Sequence, residues 1–202
     1  MVQYPRRVFS IRPARRDELR AVQHIETVAD LVFRRVAMPW VLTMQPATPR
    51  LLEQARRRGW LWVATGATNR AVGFALLTTV DGEAYLHQLS VLPRAAGQGV
   101  GSALIATVCT AARAAGHRTV LLSTYDGVPW NAPYYARRGF VAVPSGRYTR
   151  LMRDMRDTER RLGHPIWRRL LMRRVLQEQG PTARLTAGDP SRNSEQEVPG
   201  TP

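Results

Sequence analysis

The stretch LSVLPRAAGQGVGSALI, residues 89–105, decides the fold, because a strand pattern turns through alternate glycines directly into a helix pattern. Glycines let the backbone approach an anion closely, and the free N–H groups of a helix N-terminus point donors at it. The G-x-G-x-G spacing differs from the dinucleotide-binding G-x-G-x-x-G, and no Gly-Lys-Ser/Thr of a P-loop follows. The turn therefore predicts a pyrophosphate site, although a helix N-cap turn without a ligand would explain the glycines alone.

The segments around this turn alternate between strand and helix patterns. Residues 60–65, 71–79 and 83–91 predict an antiparallel meander before it. After it, residues 103–115 predict a helix that Gly116 ends, followed by a strand at 119–123, a helix at 131–138 and a strand at 140–143. Upstream, a strand at 8–12, a helix capped by Asp17 and a short helix at 50–58 complete a mixed α/β pattern.

The C-terminal region predicts two different segments beyond the domain. Arginines interleave with leucine, isoleucine and valine over residues 152–179, which predicts an amphipathic helix that packs on the domain or on a second subunit. Residues from about 180 onward are rich in Pro, Gly, Ser, Thr and Glu. We expect a domain at 1–155, an amphipathic helix at 156–179 and a disordered tail at 180–202.

Composition excludes several classes of protein. The net charge of +15 would suggest nucleic acid, but all 30 basic residues are arginines spread along the chain, which favours codon bias over a phosphate-binding face. Apolar runs are too short for a membrane span, and no signal peptide is recognisable, so we expect a cytoplasmic protein. The single cysteine, Cys109, lies in an apolar helical stretch and is interpreted as a core residue.

Two further motifs flank the glycine turn: Val91-x-Pro93 before it and NAPYYARRGF, residues 131–140, after it. Together, in this order, they resemble the GNAT N-acetyltransferase superfamily, and VPWNAPYY at 128–135 is similar to one uncharacterised bacterial branch. The resemblance covers about residues 8–155, and the run RRLLMRR at 168–174 is similar to that branch's C-terminal helix. One departure is Ala96, which stands where the family usually has Arg or Gln.

The resemblance implies a GNAT fold with a mixed central sheet of about six to seven strands flanked by helices, and acetyl-coenzyme A as cosubstrate. It places the pantetheine arm along the strand before the turn and the pyrophosphate on the turn itself. The implied cofactor contacts are Leu89, Val91, Leu92, Gly97, Gln98, Gly99, Val100, Gly101, Ser102 and Asn131. Asn131 could equally be a helix N-cap.

Catalytic roles follow from the same resemblance. Tyr135 occupies the family's tyrosine position, four residues before Gly139, and is the candidate acid for the departing thiolate. The position of the family's glutamate base corresponds to His87 or Gln88, and the imidazole of His87 suits proton transfer near neutral pH. Glu26 on the first helix is the second candidate base. No metal-ligand spacing is present, so we expect no metal.

The acceptor amine is not identified by sequence, because the variable region 28–48 that would bind it is compatible with small molecules and with protein amines. A homodimer is possible. The alternative function is a non-catalytic acyl-coenzyme A sensor, or a GNAT-fold module that contacts nucleic acid through its arginine-rich segment.

Overall fold

The structure is a computed structural model that describes residues 9–176. Seven strands run through it: β1 Ser10–Pro13, β2 Leu61–Thr65, β3 Ala71–Val80, β4 Glu83–Val91, β5 Thr119–Tyr125, β6 Val141–Ala142 and β7 Arg169–Val175. Five α-helices accompany them: α1 Leu19–Asp30, α2 Pro49–Arg57, α3 Val100–Ala114, α4 Ala132–Ala136 and α5 Arg150–Arg161. Two 3₁₀ segments, Leu31–Val36 and Pro39–Thr43, extend the region after α1.

The seven strands form a single sheet in the order β1-β2-β3-β4-β5-β7-β6. Every neighbouring pair is antiparallel except β4 and β5, which run parallel. The prediction of a mixed sheet of six to seven strands flanked by helices is confirmed. The predicted meander corresponds to β2, β3 and β4.

Apolar side chains fill both faces of the sheet. On one face α3 packs over β2 to β5, with Leu104, Ile105 and Val108 fully buried against the strands. On the other face α1 and α2 cover β2 and β3 through residues such as Val22 and Leu52, and α5 covers β5 and β7. Cys109 belongs to the α3 core, and burial raises the pKa of its thiol, as expected for a packing residue.

The strands β4 and β5 separate soon after they meet. Only two residue pairs join them, Ala84 with Val120 and Tyr85 with Leu121. Beyond these pairs β4 continues to Val91 and β5 to Tyr125 without pairing to each other. The sheet therefore opens into a cleft that leads from its middle to the glycine turn.

The prediction of a helix at 156–179, the C-terminal basic helix, is wrong. The helix α5 ends at Arg161, and residues 169–175 form β7, which pairs with β5 over seven residues and with β6 over two. Leu171 and Met172 are buried on opposite faces of the sheet. A strand places them so, because successive side chains of a strand point to opposite faces. Arg-Leu-Leu-Met-Arg-Arg fits an amphipathic helix equally well, and pairing with β5 decides between the two.

The disordered tail predicted at 180–202 lies outside the described residues. Within residues 9–176 no helix is both long and apolar enough to cross a bilayer.

Candidate functional site

The glycine turn forms the N-terminal end of α3. Gly97 and Gly99 have φ angles of 74° and 84°, in the left-handed region that favours glycine. Hydrogen bonding inside α3 begins with the Ala103 N–H donating to the Gly99 carbonyl at 3.0 Å. The amides of residues 100–102 therefore lack intrahelical acceptors. A Cβ added at Gly97 or Gly99 would meet no atom within 4 Å, so open space lies in front of these two positions.

The third glycine of the turn has a different role. A Cβ on Gly101 would collide with the hydroxyl of Tyr134, which lies on α4. The Arg138 guanidinium covers the Tyr134 ring at 3.4 Å from its centroid and donates from Nε to Ser102 Oγ at 2.9 Å. Gly101 thus lets α4 pack on the start of α3, and Arg138 brings a positive charge to the turn, whose Ala96 carries none.

Gln98 and Leu92 both use their polar groups within the chain. The Gln98 side chain donates from Nε2 to the Arg94 carbonyl at 2.9 Å. The Leu92 N–H donates to the Val72 carbonyl at 2.8 Å, and the Leu92 carbonyl accepts from Ala95 at 2.8 Å. Leu92, expected from the resemblance to contact the cofactor, therefore has no free backbone group to offer.

Leu89 and Val91 have the opposite arrangement. Because the Leu92 N–H points at β3 and antiparallel pairs alternate, Val91 and Leu89 point their N–H and carbonyl groups away from β3, into the cleft. On the far side of the cleft, the Asp126 N–H donates to the carbonyl of Arg168, the residue just before β7. Because antiparallel pairs alternate, Tyr125 and Ser123 point their backbone groups away from β7, toward the same cleft. The cleft is lined by two strand edges that do not pair with each other.

Tyr135 lies on α4, with its ring in edge contact with Phe140 and Tyr134 at centroid distances of 5.8 and 5.6 Å. Burial, followed by the neighbouring Tyr134 and Tyr85, raises the pKa of its phenol above the usual range. The phenol is therefore protonated at neutral and mildly alkaline pH. Asn131, just before α4, makes no side-chain cap, so its amide is not used as the N-cap that the sequence also allowed.

His87 lies at an irregularity in β4, where the register with β3 shifts between Leu76 and Leu77. Its side chain is solvent-accessible, and its ring lies 5.9 Å from that of Tyr85 in an edge contact. Crowding by protein atoms, and then the charge of Arg169, lower the pKa of His87. The imidazole is therefore neutral at pH 7 and able to accept a proton.

Glu26 is buried on α1, with 8% of its surface exposed, and its Oε2 accepts a hydrogen bond from the Ala47 N–H at 3.1 Å. Burial raises the pKa of this carboxyl to about 7; the Ala47 amide opposes that shift, and the charge of Asp30 adds to it. The carboxylate holds the end of the 37–47 connection against α1.

Residues 22–140 match the Acetyltransferase (GNAT) family, and this match covers more than half of the chain. The chain belongs to the GNAT acetyltransferase family. The match includes the glycine turn, both sides of the cleft and α4, and so covers the candidate site residues from Glu26 to Tyr135.

Solved structures share this GNAT fold. One is N-acetylglutamate synthase from Neisseria gonorrhoeae, complexed with coenzyme A and N-acetyl-glutamate, which is 19% identical to this chain with a TM-score of 0.61. The match covers 85% of this chain but only 36% of that synthase. A GNAT-family acetyltransferase from Staphylococcus aureus Mu50 is 15% identical, with a TM-score of 0.62 over 84% of this chain and all of that one. The ribosomal-protein-S18-alanine N-acetyltransferase from Escherichia coli is 19% identical, with a TM-score of 0.57 over 86% and 97% of the two chains. At these identities the likeness concerns the fold.

One residue of this GNAT protein's cleft lies outside the matched region and was missed from the sequence. Arg169, on β7, donates from Nε to Ser123 Oγ at 3.2 Å and to Glu159 Oε1 at 2.9 Å, and its guanidinium lies 4.7 Å from the Tyr125 ring centroid. The register places Arg169 directly opposite Tyr125. Its positive charge lowers the pKa of His87 and opposes the rise that burial imposes on Tyr85 and Tyr135.

The signal that could have revealed Arg169 was weak. It is one of eight arginines between residues 153 and 174, and only pairing of β7 with β5 singles it out. Among residues 9–176 no group of three or more His, Cys, Asp or Glu side chains could hold a metal ion.

Proposed function

We propose that this GNAT protein is a cytoplasmic N-acetyltransferase that moves the acetyl group of acetyl-coenzyme A to an amine. One observation carries the proposal: the free amides of α3 and the unpaired edge of β4 meet at the same end of one cleft. A helix N-terminus suits a pyrophosphate, and an open strand edge suits an extended chain that carries amide groups. Coenzyme A has both groups, in this order along its length.

The residues present fit this cosubstrate. The pyrophosphate would lie on the amides of the turn, residues 97–102, where the glycines leave open space. The Arg138 guanidinium supports an anion there, because it is already held at the start of α3 by Ser102. The pantetheine amides would pair with Leu89 and Val91, and the Asn131 side chain can bond to the same arm. We exclude Leu92 from these contacts, because its backbone is already hydrogen-bonded.

Acetyl transfer requires two proton transfers, one by His87 on β4 and one by Tyr135 on α4. The amine nitrogen forms a bond to the acetyl carbon, and a cleft-facing N–H of β4 near Val91 stabilises the negative charge on the carbonyl oxygen. His87 accepts the proton that the amine loses, directly or through water. As the carbon–sulfur bond breaks, the thiolate takes a proton from the Tyr135 hydroxyl, and both side chains then exchange protons with solvent.

Glu26 is the weaker candidate base, because its carboxylate is buried and occupied by the Ala47 amide. A non-catalytic acyl-coenzyme A sensor would need the same turn and strand edge. It would not need a histidine and a tyrosine that can transfer protons, and the presence of His87 and Tyr135 favours the enzyme.

Calorimetry with acetyl-coenzyme A tests the proposal through Gly99→Val. Valine at φ 84° strains the backbone and projects side-chain atoms into the space in front of the α3 amides. Gly116→Val is a matched control at the opposite end of the same helix, with a φ of 85° and equally open surroundings. We expect affinity to be lost in Gly99→Val and kept in Gly116→Val. Equal affinity in both variants would overturn the proposed cofactor site.

A further inference from the structure

His87 is the extra residue of a β-bulge in β4. Two consecutive residues of β3 pair with Gln88 and Leu86, which leaves His87 without a partner on that side. Pairing between β4 and β5 ends two residues before His87, so the other side has no partner either. A bulge interrupts the ladder and re-aims a side chain. The imidazole therefore depends on side-chain contacts for its orientation.

The His87 ring makes no hydrogen bond to any residue between 9 and 176. A catalytic histidine commonly has its second ring nitrogen bonded to a carboxylate or a carbonyl, which sets the tautomer and the direction of the ring. His164 has a bond of this general kind, since its Nδ1 lies 3.0 Å from the Tyr125 hydroxyl. His87 is without one, so another kind of contact has to orient it.

The aromatic ring of Tyr85 provides this contact. Its centroid lies 5.9 Å from that of the imidazole, and the two ring planes meet at 87°, the edge-to-face arrangement that aromatic pairs favour. Tyr85 is itself held in place. Its side chain packs against the core cluster that contains Leu121 and Met155, and its backbone forms the last pair between β4 and β5. Tyr85 thus gives His87 a fixed wall.

The contact is uncharged, which suits a base. A carboxylate beside the ring would stabilise the imidazolium and raise the pKa of His87. Burial raises the pKa of Tyr85 to about 12, so its phenol is neutral near pH 7. On β7, Arg169 adds its charge to the crowding that lowers the pKa of His87. The charges on α5 that reach Tyr85, those of Glu159 and Arg156, are paired with each other.

We propose that Tyr85 is a positioning residue for acetyl transfer, because its ring holds the His87 imidazole in one orientation with a nitrogen free to accept the proton of the amine. The inference rests on the acetyl transfer proposed above and adds a residue that acts through His87. A general base works only when its nitrogen lies within hydrogen-bonding reach of the proton, so a freely turning ring lowers the rate. The role requires the ring of Tyr85 and not its hydroxyl.

Nuclear magnetic resonance of the histidine rings tests the contact without any acceptor. The His87 signals are identified by their loss in His87→Gln. In the wild type we expect nuclear Overhauser contacts between the two rings and a His87 pKa below ~6.5, the reference value. Tyr85→Leu removes the wall, so the imidazole should become mobile and its pKa should move toward ~6.5. Tyr85→Phe keeps the ring and should behave like the wild type.

Tyr148→Leu is the matched control, because Tyr148 is half-buried against the same core cluster as Tyr85. It should leave the His87 signals unchanged, and an effect equal to that of Tyr85→Leu would overturn the inference. An unchanged mobility and pKa of His87 in folded Tyr85→Leu would also overturn it. If Tyr85→Leu does not fold, the Overhauser contacts of the wild type decide, and their absence counts against the proposal.

Activity measurements separate this inference from the proposed function. With an acceptor amine identified by thiol release, Tyr85→Leu should lower kcat about 10- to 100-fold with little change in KM for acetyl-coenzyme A, and Tyr85→Phe should keep most of the rate. A wild-type kcat in His87→Gln would overturn the inference and leave acetyl transfer standing. Failure of the wild type to bind acetyl-coenzyme A would instead remove the proposed function.

Discussion

Replacing Glu26 with glutamine should stabilise the protein at alkaline pH. The Glu26 carboxyl has a pKa of about 7 in the folded protein and a reference pKa of 4.5. A raised folded pKa means that the native state binds the proton more tightly than the unfolded state does. The associated stability is therefore present below about pH 4.5 and is lost as the pH rises to about 7.

The size of the effect follows from these two pKa values. Each pKa unit corresponds to about 1.36 kcal/mol, so the ionised carboxylate costs the native state about 3 kcal/mol at pH ~8 and less than about 1 kcal/mol at pH ~5. Glutamine has no charge to desolvate, and its side-chain oxygen can still accept from the Ala47 N–H. We expect Glu26→Gln to gain about 3 kcal/mol at pH ~8, a rise in Tm of roughly 6–12 °C for a domain of this size.

Urea denaturation of both proteins at the two pH values measures the difference. Glu53→Gln is the control, because salt bridges to Arg56 and Arg57 lower the pKa of that glutamate, and its replacement should bring no stabilisation at alkaline pH. A Glu26 variant no more stable than wild type at pH ~8 would refute the argument that a desolvated carboxylate is held there. Retained acetyl transfer in the stabilised variant would remove Glu26 as a base.

Two further predictions concern the cleft. Tyr135→Phe keeps the ring packing and should lower kcat by about 10²–10⁴ with little change in KM for acetyl-coenzyme A, whereas an unchanged kcat in steady-state assays would leave water as the proton donor. Arg169→Gln should destabilise the protein by about 3 kcal/mol, because the buried Glu159 loses one of its two cationic partners. In a Glu159→Gln background the same change should cost less in denaturant titrations, and equal costs in both backgrounds would show that the pair is not coupled.

The sequence predicts well those parts of the fold that depend on local pattern. The strand-like segments within residues 60–91 and the glycines around α3 are local signals, and the structure has the corresponding meander, turn and helix. The helix predicted after Asp17 is α1, but Asp17 does not cap it, because this residue lies in a 3₁₀ segment, Arg16–Glu18, that precedes α1. Local spacing does not distinguish the two helix types over so few residues.

What the sequence does not predict depends on contacts between distant residues. The segment 169–175 is a strand because β5 offers it seven pairing partners, a fact that no pattern within the segment contains. The same contact brings Arg169 beneath the cleft. The role of Gly99, by contrast, can be read from its neighbours in the chain.

The late position of β7 in the chain has a consequence for synthesis on the ribosome. β6 pairs with β7 alone among the described strands, and β7 covers one side of β5. Until residue 175 has emerged, a nascent chain exposes an open, apolar strand edge of the kind that promotes aggregation. A message cut short before codon 169 should therefore produce a polypeptide that cannot close its sheet and is removed by cellular proteases.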